Sequence, residues 1–280
     1  MVSMRRKSAD PGLPVPTRAV SRSETGGPGA VLGRMRALVP PVHLMSAWRV
    51  QARQADVLRA AGAIPVTIDT REEVTEIAQV TRALAIHTGA IDAKALDAML
   101  WAAESARELN HPWVLDPADV GATSFRRQPT AALLTRRPTA IIGGPGDILA
   151  AAHIGADPRS DDVRVAAAHL AQRTGAVVAV TGAEDFVTDG MSGLVVGGGH
   201  LLMTRIDGAG AAVAALAASF LAAERDALAA TVASLAFVNA AAREAASAAL
   251  GPGSFAAAFL DALCLIGADA VDEAARIGPA

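Results

Sequence analysis

The spacing of apolar positions alternates along the chain between short runs and helical patterns, starting near residue 40. The short runs are rich in β-branched residues and predict strands at residues 64–68, 82–86, 113–116, 140–142 and 176–180. Apolar residues at helical spacing predict helices over residues 48–61, 93–109, 161–174, 208–223, 226–250 and 254–266. Strands that alternate with helices indicate right-handed crossovers between parallel strands. We therefore expect an α/β fold, with a doubly wound, mostly parallel sheet flanked by helices.

Two further apolar runs, at residues 186–188 and 193–196, flank Asp189 and Gly190, which predicts a β-hairpin. In doubly wound sheets, ligands bind beyond the carboxyl ends of the strands. The candidate site is therefore expected in the loops after residues 86, 116, 142 and 180, and in the turn before residue 208.

Residues 1–37 show no such periodicity and are rich in Pro, Gly, Ser and Arg. A segment of this composition buries little apolar surface. We therefore expect a flexible N-terminal extension over residues 1–37 and one folded domain over residues 38–280. The arginines of the extension could contact an anionic partner, but a solvated tail fits the composition better. Prolines stand where a secretion signal needs an apolar core, so the expected location is the cytoplasm.

The composition excludes several classes of protein. Hydrophobic residues make up 52% of the 280 residues, yet aromatic residues only 3%, because alanine fills much of the apolar share. Cys264 is the single cysteine, which excludes an internal disulfide and a cysteine zinc site. A net charge of -3 argues against a nucleic-acid partner. The uncharged residues 208–223 fall short of the ~20 residues of a membrane span, so we expect a buried helix and no membrane partner.

The strongest local signal is the turn of Gly208, Ala209 and Gly210 ahead of a long helix. The glycines allow the backbone to approach a ligand, and the first helical amides attract an anion. This turn could therefore hold the charge that develops on a transferring phosphoryl group. Alternatively, the small residues only allow the helix to pack against the sheet. Val213 occupies the third position of a dinucleotide-binding fingerprint, so that fingerprint is incomplete.

Three other loops at the expected edge carry candidate chemistry. The hydroxyl of Thr181 could bond a nucleotide phosphate or cap a turn. The carboxylate of Asp116 could hold magnesium or fix its own loop. The glycine-rich loop at residues 143–146 could meet phosphates, although Pro145 removes a donor amide, and Asp147 follows it.

A set of colinear segments is more specific than any single motif. In chain order they are VH at 42–43, GAIPV at 62–66, EEV at 72–74, PWVLDP at 112–117, VGAT at 120–123, VAVTG at 178–182, VTDG at 187–190, HLLMTR at 200–205, GPGSF at 251–255 and FLDAL at 259–263. With these segments the chain resembles the hydroxyethylthiazole kinase family, which has the ribokinase-like fold. The resemblance covers about residues 40–266.

The resemblance implies an activity and an assembly. It implies transfer of the γ-phosphate of ATP to the primary alcohol of 4-methyl-5-(2-hydroxyethyl)thiazole, a step of thiamine salvage that needs Mg²⁺. It also implies a homotrimer whose thiazole pocket lies at a subunit interface. On the first predicted helix, Arg49 and Arg53 could pair with carboxylates of a neighbouring subunit or remain solvated.

The resemblance also implies roles for individual residues. By position, Thr181 matches a nucleotide-contacting residue, and Gly208 matches the thiazole-facing edge of an anion hole that continues through Ala209 and Gly210. Thr67 occupies the substrate segment. The ATP loop falls on Gly143 and Gly144, and the candidate magnesium ligands are Asp116 and Asp147.

The departures from the family pattern fall on this same site. Ala211 stands where the family has a cysteine and ribokinase relatives have an aspartate that serves as the base, and alanine has no titratable group. The family's Arg-Gly-Asn loop reads Gly143, Gly144 and Pro145, which removes a cation that would meet phosphate. His87 stands where asparagine is typical.

Two readings of these departures stay open. In the first, the protein is a kinase that relies on positioning, magnesium and the anion turn, with Asp207 as a weak additional base. In the second, it is a catalytically impaired or inactive homologue that binds a small ligand or a protein partner.

Overall fold

Nine strands form one sheet in the computed structural model, which describes residues 26–89, 91–155 and 162–280. The strands are β1 (Pro41–Met45), β2 (Ile64–Val66), β3 (Ala83–His87), β4 (Trp113–Asp116), β5 (Ala140–Gly143), β6 (Val177–Val180), β7 (Glu184–Thr188), β8 (Gly193–Gly197) and β9 (Arg276–Pro279). Their order across the sheet is β2-β1-β3-β4-β5-β6-β7-β8-β9. Neighbours from β2 to β6 pair in parallel, and those from β6 to β9 pair antiparallel.

Helices cover both faces of this sheet. In the described residues they are α1 (Pro28–Leu38), α2 (Trp48–Ala61), α3 (Val74–Val80), α4 (Ala93–Glu108), α5 (Ser124–Leu134), α6 (Pro145–Ala152), α7 (Val163–Thr174), α8 (Ala209–Ala223), α9 (Ala227–Ala248), α10 (Pro252–Leu265) and α11 (Ala268–Ala274). A short 3-10 helix, Leu201–Arg205, precedes α8.

Alternate side chains of the parallel strands enter two separate cores. In β4, Val114 packs in the core beneath α1, α2, α8, α9 and α10, whereas Trp113 and Leu115 pack in the core beneath α4 to α7. Burial on both faces explains why these strands appear in the sequence as continuous apolar runs. The expected doubly wound α/β class is confirmed.

Several predicted elements agree closely with the structure. Helix α2 spans the predicted residues and ends at Gly62, whose φ of 101° is the left-handed conformation that favours glycine. The predicted hairpin is present as β7 and β8. The apolar helix α8 is buried over most of its length, as expected. Within the described ranges no single helix is long and apolar enough to cross a membrane, and α10 and α11 pass that test only together, although they are bent by 116°.

The predicted N-terminal boundary is wrong for residues 28–37. They belong to α1, which buries Val31, Leu32 and Met35 in the core. Close approach to α11 requires small residues, because a Cβ on Gly29 would lie 2.1 Å from the carbonyl oxygen of Ala268. Residues 1–25 of the predicted extension lie outside the described residues.

The segment after β5 is also more ordered than a glycine-rich loop. Pro145 is the first residue of α6, where its missing amide hydrogen costs no helical hydrogen bond. Gly144 becomes the residue that precedes the helix. Pro145, which removes a donor amide from the loop, therefore starts a helix at the edge of the sheet.

Candidate active site

A cleft of about 430 Å³ lies beyond the carboxyl ends of the parallel strands. Its lining comes from the ends of β3 to β6 and from the first turns of α2, α6 and α8. The lining residues are Ala47, Arg49, Val50, His87, Gly89, Asp116, Ala118, Asp119, Ile142, Gly143, Gly144, Asp147, Thr181, Asp207, Gly208, Gly210 and Ala211.

The fold brings most of the sequence-predicted site residues to this cleft. Those that line it are Gly208, Gly210, Ala211, Thr181, Gly143, Gly144, Asp116 and Asp147. They come from four separate stretches of chain, which the parallel strands collect at one edge.

Two of the predicted residues are placed differently. The amide of Ala209 donates to the carbonyl oxygen of Ile206 at 3.3 Å, so the amides of the turn that remain for an anion are those of Gly210 and Ala211. Thr67 follows β2 at the edge of the sheet and is not among the residues that line the cleft. The Nε2 atom of His43 lies 2.6 Å from the carbonyl oxygen of Ile68 and holds this segment. Burial lowers the pKa of His43, against the hydrogen bond to Ile68 and the charge of Asp69.

The turn before α8 needs glycine at its first position. Gly208 has a φ of 75°, in the left-handed region. A Cβ there would also lie 3.5 Å from the Cα of Val50 and 3.4 Å from the Cβ of Arg53. The turn is thus packed closely against the first turns of α2.

A buried hydrogen-bond chain joins α2 to the start of α8. The hydroxyl of Ser46 donates to the Oε1 atom of Gln54 at 2.5 Å. The Nε2 atom of Gln54 in turn donates to the carbonyl oxygen of Ala211 at 3.1 Å. Buried polar groups are costly to leave unpaired, so this chain fixes the relative position of the two helices.

The first turns of α2, α6 and α8 all reach the same cleft. Each helix start carries amide groups without intrahelical partners and the positive end of a helix dipole. Thr181 joins this arrangement, because its amide donates to the carbonyl oxygen of Gly143 at 2.9 Å and connects the ends of β5 and β6. Within the described part of the chain the hydroxyl of Thr181 makes no hydrogen bond, which does not support the turn-cap interpretation. The arrangement suits a polyphosphate.

Carboxylates also line the cleft. Asp116, Asp119 and Asp147 line it together. Burial and the charges of Asp116 and Asp119 raise the pKa of Asp147, against a hydrogen bond from the Asp119 amide. The backbone of Asp119 is left-handed, with a φ of 58°. Three carboxylates in one cleft repel one another and favour a bound cation.

A histidine is inserted among these carboxylates. The Nδ1 atom of His87 lies 2.9 Å from the Oδ2 atom of Asp116. Burial alone lowers the pKa of His87, but the hydrogen bond and charge of Asp116 and the charges of Asp119 and Asp147 together raise it above its usual value. A Cβ on Gly89 would lie 2.4 Å from Nε2 of the ring, so glycine makes room for this side chain.

The sequence motifs do not reveal this pair. His87 and Asp116 are register partners at the ends of β3 and β4, so the signal is their shared position at two strand ends.

The sequence motifs also do not reveal the pair of Asp185 and Asn239, which holds the residue that follows Thr181. Asp185 accepts from the Gly182 amide and from Asn239, both at 2.9 Å. Burial raises the pKa of Asp185 against these two hydrogen bonds.

Comparison with known proteins shows which family has a sequence like this one. The model of the hydroxyethylthiazole kinase family matches residues 32–269. A hydroxyethylthiazole kinase of Cereibacter sphaeroides is 43% identical over 260 residues, which cover 90% of this chain and 98% of that protein. This chain belongs to the hydroxyethylthiazole kinase family.

Other relatives agree with this family. A hydroxyethylthiazole kinase of Rhizobium johnstonii is 41% identical over 261 residues, 90% of this chain and 98% of that protein. The solved hydroxyethylthiazole kinase of Pyrococcus horikoshii OT3 matches with a TM-score of 0.85 at 33% identity, over 90% of this chain and 98% of that one. The pyridoxal kinase of Bacillus subtilis, solved as an ADP complex, shares the fold alone, with a TM-score of 0.57 at 17% identity over 73% of this chain and 91% of that one. The ribokinase-like fold is thus confirmed.

Four residues at which the sequence departs from the expected family pattern, namely His87, Gly143, Gly144 and Ala211, line the cleft. Ala211 is only 4% exposed, and its carbonyl is bonded to Gln54, so it contributes a methyl group and a backbone amide. Asp207 precedes the turn and lines the cleft. Arg49 lines it too, from the first turn of α2.

Proposed function

We propose that this chain is a cytoplasmic kinase of thiamine salvage. It transfers the γ-phosphate of ATP to the primary alcohol of 4-methyl-5-(2-hydroxyethyl)thiazole. The observation that carries the proposal is the meeting of three helix starts and three carboxylates at one cleft, in a chain of the hydroxyethylthiazole kinase family. Helix starts bind phosphates, and carboxylates bind the cation that accompanies them.

The cleft suits Mg²⁺ as the accompanying cation. Among the described residues no three His, Cys, Asp or Glu side chains are grouped so that they could hold a metal ion by themselves. Mg²⁺ in phosphoryl-transfer sites is commonly held by one or two carboxylates together with waters and substrate phosphates, which needs no such cage. Asp116 and Asp147 are the carboxylates we assign to it. When bound, the ion neutralises charge on the phosphate oxygens.

The residues of the chain supply the remaining requirements of the transfer. Amides of Gly210 and Ala211 at the start of α8 face the developing charge on the phosphoryl group. The Thr181 hydroxyl contacts the nucleotide. The alcohol oxygen bonds to the γ-phosphorus while the bond from phosphorus to the β-bridging oxygen breaks. The alcohol proton passes to water or to Asp207, because Ala211 cannot accept it.

The same family likeness supports a homotrimer. Trp48 is 81% exposed beside the cleft, and β2 leaves Ile64 48% exposed at the edge of the sheet. Exposed apolar surface beside a binding cleft is typical of an interface. In the trimer we place the thiazole between subunits, where Thr67 can reach it from a neighbour. Sedimentation equilibrium at three times the chain mass is the expected result, and a monomer mass contradicts it.

The function is tested by ADP release that depends on the thiazole alcohol, ATP and Mg²⁺ together. The negative control is the double variant Gly208→Ala and Gly210→Ala, because Ala at position 208 is strained at a φ of 75°. The matched control is Gly253→Ala, where an added Cβ meets nothing within 4 Å. We expect turnover in the wild type and in Gly253→Ala. A wild-type rate no greater than that of the double variant contradicts the proposal.

A second candidate function is binding without turnover, and the observation that favours it is Ala211 at the position of the family's base. It predicts that the thiazole or ATP raises the melting temperature while no ADP is released. Measuring turnover and melting on the same preparation separates the two functions.

A further inference from the structure

The protein supplies little positive charge to the cleft. The loop of Gly143 and Gly144 carries no basic residue, and four carboxylates line the cleft, counting Asp207. A nucleotide triphosphate brings further negative charge. The transfer accumulates charge on the γ-phosphoryl oxygens, and arginine stabilises such charge well.

Two basic groups line the cleft, and one of them is already engaged. His87 is mostly buried, and its Nδ1 atom is bonded to Asp116. Its Nε2 atom lies so close to Gly89 that a Cβ on that residue would be 2.4 Å away. The other basic group is Arg49, the one arginine or lysine among the described lining residues. Arg49 is exposed and makes no salt bridge in the parts of the chain that the structure describes.

The position of Arg49 is fixed by the packing of its helix. Val50, the next residue, approaches the turn at Gly208, and Arg53 packs there one helical turn later. The bond from Gln54 to the Ala211 carbonyl holds α2 against the start of α8. The first turn of α2, with Arg49, therefore stays beside the amides of Gly210 and Ala211.

We propose that Arg49 contacts the γ-phosphate of the bound nucleotide triphosphate and stabilises the transferring phosphoryl group. This deepens the proposed function, on which it rests. The guanidinium supplies, from α2, a positive charge that the loop of Gly143 and Gly144 does not provide. It acts together with the amides of Gly210 and Ala211 on the same group of oxygens.

The test compares Arg49→Ala, Arg49→Lys and Arg59→Ala. Arg59 lies exposed in the last turn of the same helix, so its variant removes the same charge away from the cleft. We expect Arg49→Ala to lower kcat about 100-fold or more, as the loss of a charge-stabilising donor does. Arg49→Lys keeps the charge but not the planar fork, so it should recover part of the rate. Arg59→Ala should stay within about twofold. A kcat for Arg49→Ala within twofold of the wild type overturns the proposal.

Nucleotide binding separates contact with the γ-phosphate from a structural role. With Mg²⁺ present, Arg49→Ala should bind a non-hydrolysable ATP analogue about tenfold or more weakly while its affinity for ADP stays within twofold. Equal losses for both nucleotides overturn the proposal, and so does a wild type that binds neither. A wild type without turnover contradicts the proposed function, but the two affinities still decide the role of Arg49.

Discussion

The imidazole of His87 and the carboxylate of Asp116 lie 2.9 Å apart at the ends of neighbouring parallel strands, and both side chains are buried. Each side chain gives the other its hydrogen-bond partner at the edge of the cleft. Removal of one member of such a pair leaves a buried charge without a partner, which typically costs several kcal/mol.

We therefore expect His87→Ala to lower the free energy of unfolding by about 3 kcal/mol, measured by urea denaturation. His169, which is exposed on α7, provides the control, and His169→Ala should change stability by less than about 0.5 kcal/mol. If both variants lose the same small amount, the pair is not a stabilising one.

A pH dependence is expected from His43, whose pKa is lowered by burial. Below about pH 6.5, the ordinary histidine value, the unfolded chain binds a proton that the folded protein resists. The contribution of this group to stability is therefore complete above that pH and is lost as the pH falls towards the lower folded pKa. His43→Gln keeps a side-chain donor for the Ile68 carbonyl but does not titrate.

Urea unfolding of the wild type and of His43→Gln should be compared at pH 8.0 and pH 5.5. The wild type should lose more stability than the variant between these two values. Parallel losses in the two proteins would show that His43 does not titrate in this range.

A pair of glycines on α1 tests whether this helix belongs to the folded domain. Gly29→Ala places a Cβ 2.1 Å from the Ala268 carbonyl oxygen and should cost about 1–3 kcal/mol. Gly33→Ala meets nothing within 4 Å and should stabilise the helix by about 0.5–1 kcal/mol. Thermal unfolding of both variants gives the comparison. Equal small effects at the two positions would mean that α1 does not pack against α11 in solution.

A base restored at the start of α8 should raise turnover. Ala211→Cys places an ionisable thiol at the cleft, and general-base catalysis contributes about 100-fold or more. We expect kcat to rise at least tenfold, measured by ADP release with the thiazole alcohol. Ala212→Cys, at the next buried position but away from the cleft lining, is the control and should not raise it. An unchanged kcat in Ala211→Cys would mean that another group already removes the proton.

Patterns in the sequence predict the central architecture well, for a physical reason. Helix α2 is amphipathic and ends at Gly62, and β4 is buried on both faces, so each has a strong local signal. Helix α1 has only a weak local signal in the sequence. Its three buried side chains, Val31, Leu32 and Met35, stand among Gly, Pro and Arg, and only contacts with distant parts of the chain order them.

The candidate site also has parts that the sequence predicts and parts that it does not. The sequence predicts the strand ends and the turn at Gly208 as parts of the site, because parallel strands bring their carboxyl ends to one edge. The pairing of His87 with Asp116 depends on strand register, and the position of Arg49 depends on the packing of α2 against α8. Neither follows from local composition. Thr67, assigned by family likeness, lies away from the cleft of a single chain, and its role stays a prediction.

The contact between α1 and α11 sets an order for folding during synthesis. The amide of Gly29 donates to the carboxylate of Asp272 at 2.8 Å, so the start of α1 depends on a residue 243 positions later in the chain. Domains often begin to fold while the ribosome is still extending them. In this protein the apolar side chains of α1 stay uncovered until α9 and α11, which pack against this helix, have left the ribosome.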